Sequence, residues 1–321
     1  MSGTSPSLEA ADPSAAPAPR WAWLLAPTPR WFWAIIAVAS TAAWFLVGEV
    51  DAPFGFDWSI YGEAFRRWRE TGTPYQILPP RWDPCRDFPY IYPPSSWPLL
   101  PMAAYLPYQF LALGTVPVIW TPPRLGLIPL AAVFLFIGLG AALWLGNVNV
   151  LILGLLSLAF RPGRVGGIAL ALAVAIKGYP LVLLPLLWSD RTRLRWFLAL
   201  AAGLAATGTM IFGPRAWVNV TVTLMREGPH CDVSLNPFAG LGWWRVAPAA
   251  LLSLAGWRLR SPTLSLLGAT FVTGVVTRHY LPTLAATLPH EPLGHGRRQD
   301  REDREDREKR PQGPESYITG G

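Results

Sequence analysis

Three ionisable side chains, Asp57, Lys177 and His279, lie beside or within long apolar stretches of the sequence. A charged group is costly at membrane depth or at the mouth of a membrane cavity, so such residues are functional candidates by default. The positive-inside rule, applied to the arginine clusters between the apolar stretches, predicts that all three lie on the extracytoplasmic side. Their convergence on one side favours a shared site over three unrelated positions.

Asp57 has two interpretations. A carboxylate beside a hydroxyl can accept its proton while the oxygen attacks an electrophilic carbon, which is general-base catalysis. Asp57 also directly precedes an amphipathic stretch, and Asp is a favoured N-cap because it binds the free backbone N–H groups of a helix. Both interpretations stay open at the level of sequence.

Lys177 interrupts the apolar stretch from 165 to 188 and is followed by Gly178 and Pro180. One straight helix would place the arginine clusters before and after it on opposite sides of the membrane, whereas a break at Lys177 keeps both inside. An ammonium beside such a break can bind a phosphate. The alternative is a lysine that extends its side chain to the interface from a helix end.

Four further polar residues are weaker candidates. Arg278 is a second candidate for phosphate binding. His279 could hydrogen-bond an acceptor, a sugar or a phosphate, although a lone histidine is more often an ordinary interfacial residue. Asn147 and Asn149 flank a predicted turn and could contact sugar hydroxyls, although Asn is common in turns that bind nothing.

The composition indicates which elements must position these residues. Hydrophobic residues make up 51% of the chain and charged residues only 15%, and there are 17 Trp. A soluble domain needs a more charged surface than this. The net charge of +7 does not indicate nucleic acid, because the arginines form short clusters between apolar stretches. We therefore predict an all-α, polytopic membrane protein with membrane lipids as partners and no nucleic acid.

The apolar stretches divide the chain into a membrane domain with two tails. Residues 1–30 are predicted to be a disordered cytoplasmic tail and residues 281–321 a disordered charged tail. Residues 31–280 form the predicted membrane domain, with external loops at 51–97 and 213–240. We predict about eight spans, some short or broken, since about 20 residues cross a bilayer. These are 31–50, 96–116, 125–145, the short run 150–160, the broken stretch 165–188, 196–212, 241–257 and 262–277.

The first external loop is predicted to contain an amphipathic helix that lies in the membrane interface. Its aromatic residues are expected to face acyl chains and its charged residues to face headgroups. Gly72 and Pro74 are expected to end it. The residues of this apolar face are the aromatic Trp58, Tyr61, Phe65 and Trp68, together with the aliphatic Ile60.

The rest of the external loops offers a rigid corner and two cysteines. Tyr90, Tyr92 and the following prolines predict a rigid aromatic corner at the outer interface. Cys85 and Cys231, the two cysteines of the chain, both fall in predicted external loops, and a disulfide between them is a hypothesis. No cluster of metal ligands is visible, so we predict a reaction without a metal or another cofactor.

Several of these stretches, in this order, resemble bacterial polyprenyl-phosphate-mannose-dependent glycosyltransferases of family 87, in the GT-C superfamily. The resemblance covers about residues 31–280. Its motifs are Asp57 with Tyr61, Gly72 with Pro74 and Tyr75, Tyr92 to Pro94, Gly146 with Asn147 and Asn149, Ile176 with Lys177 and Pro180, Ser234 to Asn236, and His279. Asn147 stands where the family usually has Gln, and the spans that the family has after its late histidine are replaced by the charged tail.

The resemblance implies a GT-C-like helical bundle in the plasma membrane with its active site on the extracytoplasmic side. It implies inverting transfer of a sugar, usually mannose, from a polyprenyl phosphate to an acceptor such as a glycolipid. Asp57 matches the presumed general base of the family. Lys177 and Arg278, selected above from the residues alone, are the expected ligands of the donor phosphate. The expected substrate-binding residues are Tyr61, Tyr92, Asn147, Asn149 and His279.

Two other functions stay open. A transporter or flippase for lipid-linked sugars would also use broken helices, although the sequence shows no inverted repeat. An inactive relative of the family could serve as an assembly partner. Loss of transfer on Asp57→Asn would separate an enzyme from both.

Overall fold

The computed structural model of the chain describes residues 35, 55–76, 90–117, 139–226, 237–272, 280, 283–284 and 286–287. Within these ranges every regular element is a helix, in agreement with the predicted all-α class. The α-helices α1 to α9 are Phe56–Thr71, Leu99–Tyr105, Asn149–Ala159, Gly163–Ile176, Leu184–Leu187, Arg191–Phe212, Arg215–Arg226, Val246–Arg258 and Pro262–Phe271. The 3₁₀ helices are Pro94–Ser96, Tyr108–Thr115, Tyr179–Leu183 and Ala239–Arg245.

Helix α1 is the predicted amphipathic helix, but its aromatic face is covered by protein. Trp58, Tyr61 and Ala64 recur every three residues on one face and are all buried. This face packs against α2, and the Trp58 indole Nε1 donates a hydrogen bond to the Leu106 carbonyl at 3.0 Å. The prediction that the aromatic face contacts acyl chains is therefore wrong for Trp58 and Tyr61, whereas Ile60, Phe65 and Trp68 are half-buried. The predicted end is confirmed, since Gly72 caps the helix with φ of 77°.

Helices α3 and α4 form the centre of the described bundle. The predicted short helix is confirmed as the 11 residues of α3, most of which are buried. It packs between the Tyr108–Thr115 3₁₀ helix and α4, and α4 packs against α6. The predicted break is also confirmed, because α4 ends at Ile176 and Lys177 is extended, with φ of −141° and ψ of 126°.

Helix α6 is the one described helix that is long and apolar enough to cross a membrane. It has 22 residues, and Asp190 caps it by accepting a hydrogen bond from the backbone N–H of Arg193 at 3.0 Å. Helices α8 and α9 have 13 and 10 residues. At about 1.5 Å per residue neither covers a hydrocarbon core of about 30 Å. Within the described residues, one helix could thus cross a membrane, and the predicted count of about eight spans is not confirmed.

The predicted span from 96 to 116 is wrong as a single helix. Helix α2 ends at Tyr105, and Leu106 and Pro107 are extended, with ψ of 138° and 151°. Pro107 lacks a backbone N–H and forces the residue before it out of the helical region, so the chain continues as a 3₁₀ helix.

The segment from 213 to 240, predicted as an external loop, contains helix α7. Pro214 immediately precedes α7, where a missing N–H removes no helical hydrogen bond. Several predicted features lie outside the described residues. These are the N-terminal tail, most of the C-terminal tail, the span 31–50 apart from Ile35, and most of the span 125–145. Residues 283–284 and 286–287, which the sequence predicts to be part of the disordered C-terminal tail, are buried. The Thr287 carbonyl accepts a hydrogen bond from Thr263 Oγ1 of α9 at 3.0 Å, so these residues pack against the described helices.

Candidate functional site

Asp57 lies in the first turn of α1, but it does not cap the helix. The N-cap is Gly55, in the left-handed conformation with φ of 69°, and no side chain caps this end. The Asp57 carboxylate instead accepts a hydrogen bond from the side-chain amide of Asn147, with Nδ2 and Oδ2 2.5 Å apart. The N-cap interpretation is therefore wrong, because a glycine takes that position and Asn147 takes the carboxylate.

The turn before α3 brings Asn147 to Asp57. The backbone N–H of Gly55 donates to the Trp144 carbonyl at 2.9 Å, which fixes this turn against the start of α1. Gly146 has φ of 68°, and a Cβ at this position would lie 2.9 Å from the Trp58 Cβ. Only glycine allows both the conformation and the close approach.

Tyrosine rings form the inner wall of the site. Tyr61 is fully buried in the protein, and its ring centroid lies 4.5 Å from that of Tyr92 and 5.6 Å from that of Tyr90. Offset and edge-to-face contacts at such distances are favourable and leave little freedom to the rings. Tyr61 and Tyr90 are therefore packed inside the protein beside Asp57, and of the three rings only that of Tyr92 is partly exposed.

Hydrogen bonds hold the Tyr90 to Ser96 corner in place. The Tyr75 hydroxyl donates to the Tyr92 carbonyl at 3.1 Å. The hydroxyls of Tyr90 and Ser96 share a hydrogen bond of 2.6 Å, and Ser95 Oγ donates to the Ala175 carbonyl at 3.0 Å. This last bond joins the corner to the end of α4, which carries Lys177.

Lys177 lies between two of these rings. Its Nζ is 4.6 Å from the ring centroid of Tyr280 and 5.4 Å from that of Tyr92, and it lies 3.4 Å from the Tyr280 hydroxyl oxygen. An ammonium within about 6 Å of a ring face is attracted by the π electrons. The break after α4 thus places a cation in the same cluster as Asp57.

The surroundings raise the pKa values of Asp57, Tyr61 and Tyr92. Burial raises the pKa of Asp57, although the Asn147 hydrogen bond and the charge of Lys177 oppose this. Burial also raises the pKa values of Tyr61 and Tyr92, and the negative charge of Asp57 adds to this effect. Both tyrosines are therefore neutral near pH 7, and Asp57 is more basic than an ordinary aspartate.

The structure brings together Asp57, Tyr61, Tyr92, Asn147 and Lys177 from four separate parts of the sequence, since Asp57 and Tyr61 both lie on α1. Asn149, another expected substrate ligand, is fully buried and donates its backbone N–H to Asn147 Oδ1 at 2.9 Å.

Arg278, His279, Cys85 and Cys231 lie outside the described residues, so their roles stay predictions. Tyr280 follows His279 directly and contacts Lys177, yet the sequence analysis did not select it. The only signal in the sequence that could have identified Tyr280 was its position directly after the two candidates Arg278 and His279.

Comparisons of the chain with protein families, with curated proteins and with solved structures gave no match. The resemblance to family 87 therefore rests on the motifs alone.

Proposed function

We propose that this chain is an integral membrane glycosyltransferase of the plasma membrane. It moves a sugar, with mannose as the first candidate, from a polyprenyl phosphate to an extracytoplasmic acceptor such as a glycolipid. The observation that carries the proposal is the Asp57 carboxylate, held by Asn147 beside a tyrosine wall and in the electrostatic field of Lys177. A polytopic arrangement, with this cluster on the extracytoplasmic side, is part of the proposal.

Asp57 acts as the general base in this mechanism. The acceptor hydroxyl oxygen attacks the anomeric carbon while the bond from that carbon to the phosphate oxygen breaks. The hydroxyl proton passes to Asp57, and polyprenyl phosphate leaves with the bonding electrons, so the anomeric configuration inverts. A base works best when its pKa is close to the working pH, and burial moves the pKa of Asp57 in that direction.

Lys177 neutralises the negative charge that grows on the departing phosphate. Its ammonium lies among the rings of Tyr92 and Tyr280 at the end of a broken helix, so its position is defined before the donor binds. Preorganised charges of this kind stabilise a transition state without reorganisation during the reaction. The partly exposed ring of Tyr92 would pack against an apolar face of the sugar, whereas the fully buried Tyr61 would support that ring from behind. Arg278 and His279 stay candidates for further contacts.

The first test is transfer of radiolabelled mannose from polyprenyl-phosphate mannose to a membrane lipid extract. We expect Asp57→Asn to lower the rate by about 10²- to 10⁴-fold, since that is the usual contribution of a general base. Glu63→Gln is the matched control, because Glu63 is a carboxylate on the solvent-exposed face of the same helix. It should keep the wild-type rate.

The controls separate an inactive site from an unfolded protein. Each variant must elute as the wild type in size-exclusion chromatography. Equal transfer by wild type and Asp57→Asn would exclude Asp57 as the base. If no folded protein transferred label to a competent extract, the transporter or inactive-relative interpretation would take precedence.

A further inference from the structure

Asn147 uses both ends of its side-chain amide inside the protein. Its Nδ2 donates to Asp57 Oδ2 at 2.5 Å, and its Oδ1 accepts from the backbone N–H of Asn149 at 2.9 Å. The residue is 7% exposed. Turning the amide by half a rotation would place its NH₂ group against the N–H of Asn149 and its oxygen against the carboxylate, so one orientation is strongly preferred.

The two oxygens of Asp57 differ as a result. Oδ2 is bound to Asn147, whereas no hydrogen bond from the described part of the chain reaches Oδ1. A carboxylate with one oxygen bound has a defined orientation and keeps the other oxygen for a proton.

We propose that Asn147 is a positioning residue, which binds Oδ2 of Asp57 and thereby keeps Oδ1 for the proton of the acceptor hydroxyl. This assignment rests on the proposed function, and it replaces the expectation that Asn147 contacts the sugar.

The backbone around Asn147 is suited to this role. The Asn147 N–H donates to the Ala142 carbonyl at 2.7 Å, and the neighbouring Gly146 packs on the start of α1. The Asn147 amide and the Asp57 carboxylate therefore lie on two segments that contact each other directly, namely the turn before α3 and the start of α1. A precise orientation requires such support from the surrounding structure.

The charges near Asp57 determine what removal of the amide would do. Lys177 favours the ionised carboxylate, whereas buried Tyr61 and Tyr92 are neutral and give no compensating charge. Without the hydrogen bond from Asn147, the pKa of Asp57 rises further. The base would then be lost at a higher pH, so the acidic limb of the pH–rate profile moves upward.

The kinetic test compares wild type, Asn147→Leu and Asn147→Gln over a range of pH. We expect Asn147→Leu to lower kcat by about 10- to 100-fold, because hydrogen bonds to charged groups are the stronger ones. The acidic limb of the pH–rate profile of this variant should move to higher pH, with little change in the KM for donor or acceptor. Asn147→Gln keeps an amide and should recover part of both properties.

A spectroscopic measurement does not depend on turnover. Infrared difference spectra of the purified protein during a pH titration contain the carboxyl band of Asp57, which Asp57→Asn removes. This band should titrate at a higher pH in Asn147→Leu than in wild type. Asn219→Leu makes the same substitution at an exposed position of α7 and should change neither the band nor the rate.

The outcomes separate this inference from the proposed function. An unchanged titration of the band and an unchanged acidic limb in folded Asn147→Leu would overturn the positioning role. An increase in acceptor KM alone would mean that Asn147 binds substrate. A shifted band in a protein that transfers no sugar would retain the coupling of Asn147 to Asp57 but reject the glycosyltransferase.

Discussion

Helix α1 buries the aromatic side chains of Trp58 and Tyr61 inside the protein, whereas helix α6 buries only one of its apolar side chains, Phe197. Trp58 and Tyr61 on α1 are 4% and 0% exposed, and Leu198 and Met210 on α6 are 53% and 78% exposed. The protein itself therefore covers these aromatic side chains of α1, whereas α6 has exposed apolar side chains of the kind that mark a contact with a membrane or with another protein. In the proposed function, a bilayer around α6 would cover them.

The largest expected effect is the loss of a buried ring from α1. Trp58→Ala should lower the free energy of unfolding by about 3–5 kcal/mol, as removal of buried Trp or Phe does. Met210→Ala on α6 should change it by about 0.5 kcal/mol or less, since exposed positions contribute little. Denaturant unfolding of the purified protein in detergent measures both variants. Similar losses would contradict the difference between the two helices.

A smaller effect is expected from a charge on the exposed face of α6. Ala202 is exposed near the middle of this helix. Ala202→Lys should cost about 2.5–3.5 kcal/mol of membrane insertion, which is the usual value for a charge at the centre of a span. The amount of protein retained in carbonate-washed membranes should fall, whereas Ala202→Leu should leave it unchanged. Equal retention of both variants would show that α6 does not face lipid.

The smallest effect is expected on the outer face of α1. Arg66 is 60% exposed and is bound to Glu63 and Glu70. Exposed ion pairs contribute little because water and salt screen them, so Arg66→Ala should leave unfolding and sugar transfer unchanged. Loss of transfer only in membranes that contain anionic lipid would instead indicate that Arg66 binds a headgroup.

Much of the fold could be predicted because its signals are local. The end of α1 at Gly72, the short α3 and the break at Lys177 each follow from glycine, proline or charge within a few neighbouring residues. The span from 96 to 116 was predicted wrongly although Pro107 was visible. Hydropathy alone cannot separate a continuous helix from a short helix followed by a 3₁₀ segment.

The candidate site could be predicted in part. Asp57 and Lys177 could be identified because they are ionisable and lie beside apolar stretches. The structure places both in one cluster. Tyr280 was missed because its contact with Lys177 spans 103 residues of sequence. Such a contact depends on how the helices pack, and a lone tyrosine carries no local signal for it.

By itself, the sequence determined the helical class, the ends of several helices and the residue types that could do chemistry, because these depend on neighbouring residues and on hydropathy. Only the tertiary structure decided which side of α1 is covered and what the Asp57 carboxylate binds. The sequence allowed Asp57 to be the N-cap of α1, but Gly55 takes that position. The Asp57 carboxylate instead accepts a hydrogen bond from the side-chain amide of Asn147, 90 positions away in the sequence. The physical reason is that burial and hydrogen-bond partners are set by packing between distant segments, which no local pattern records.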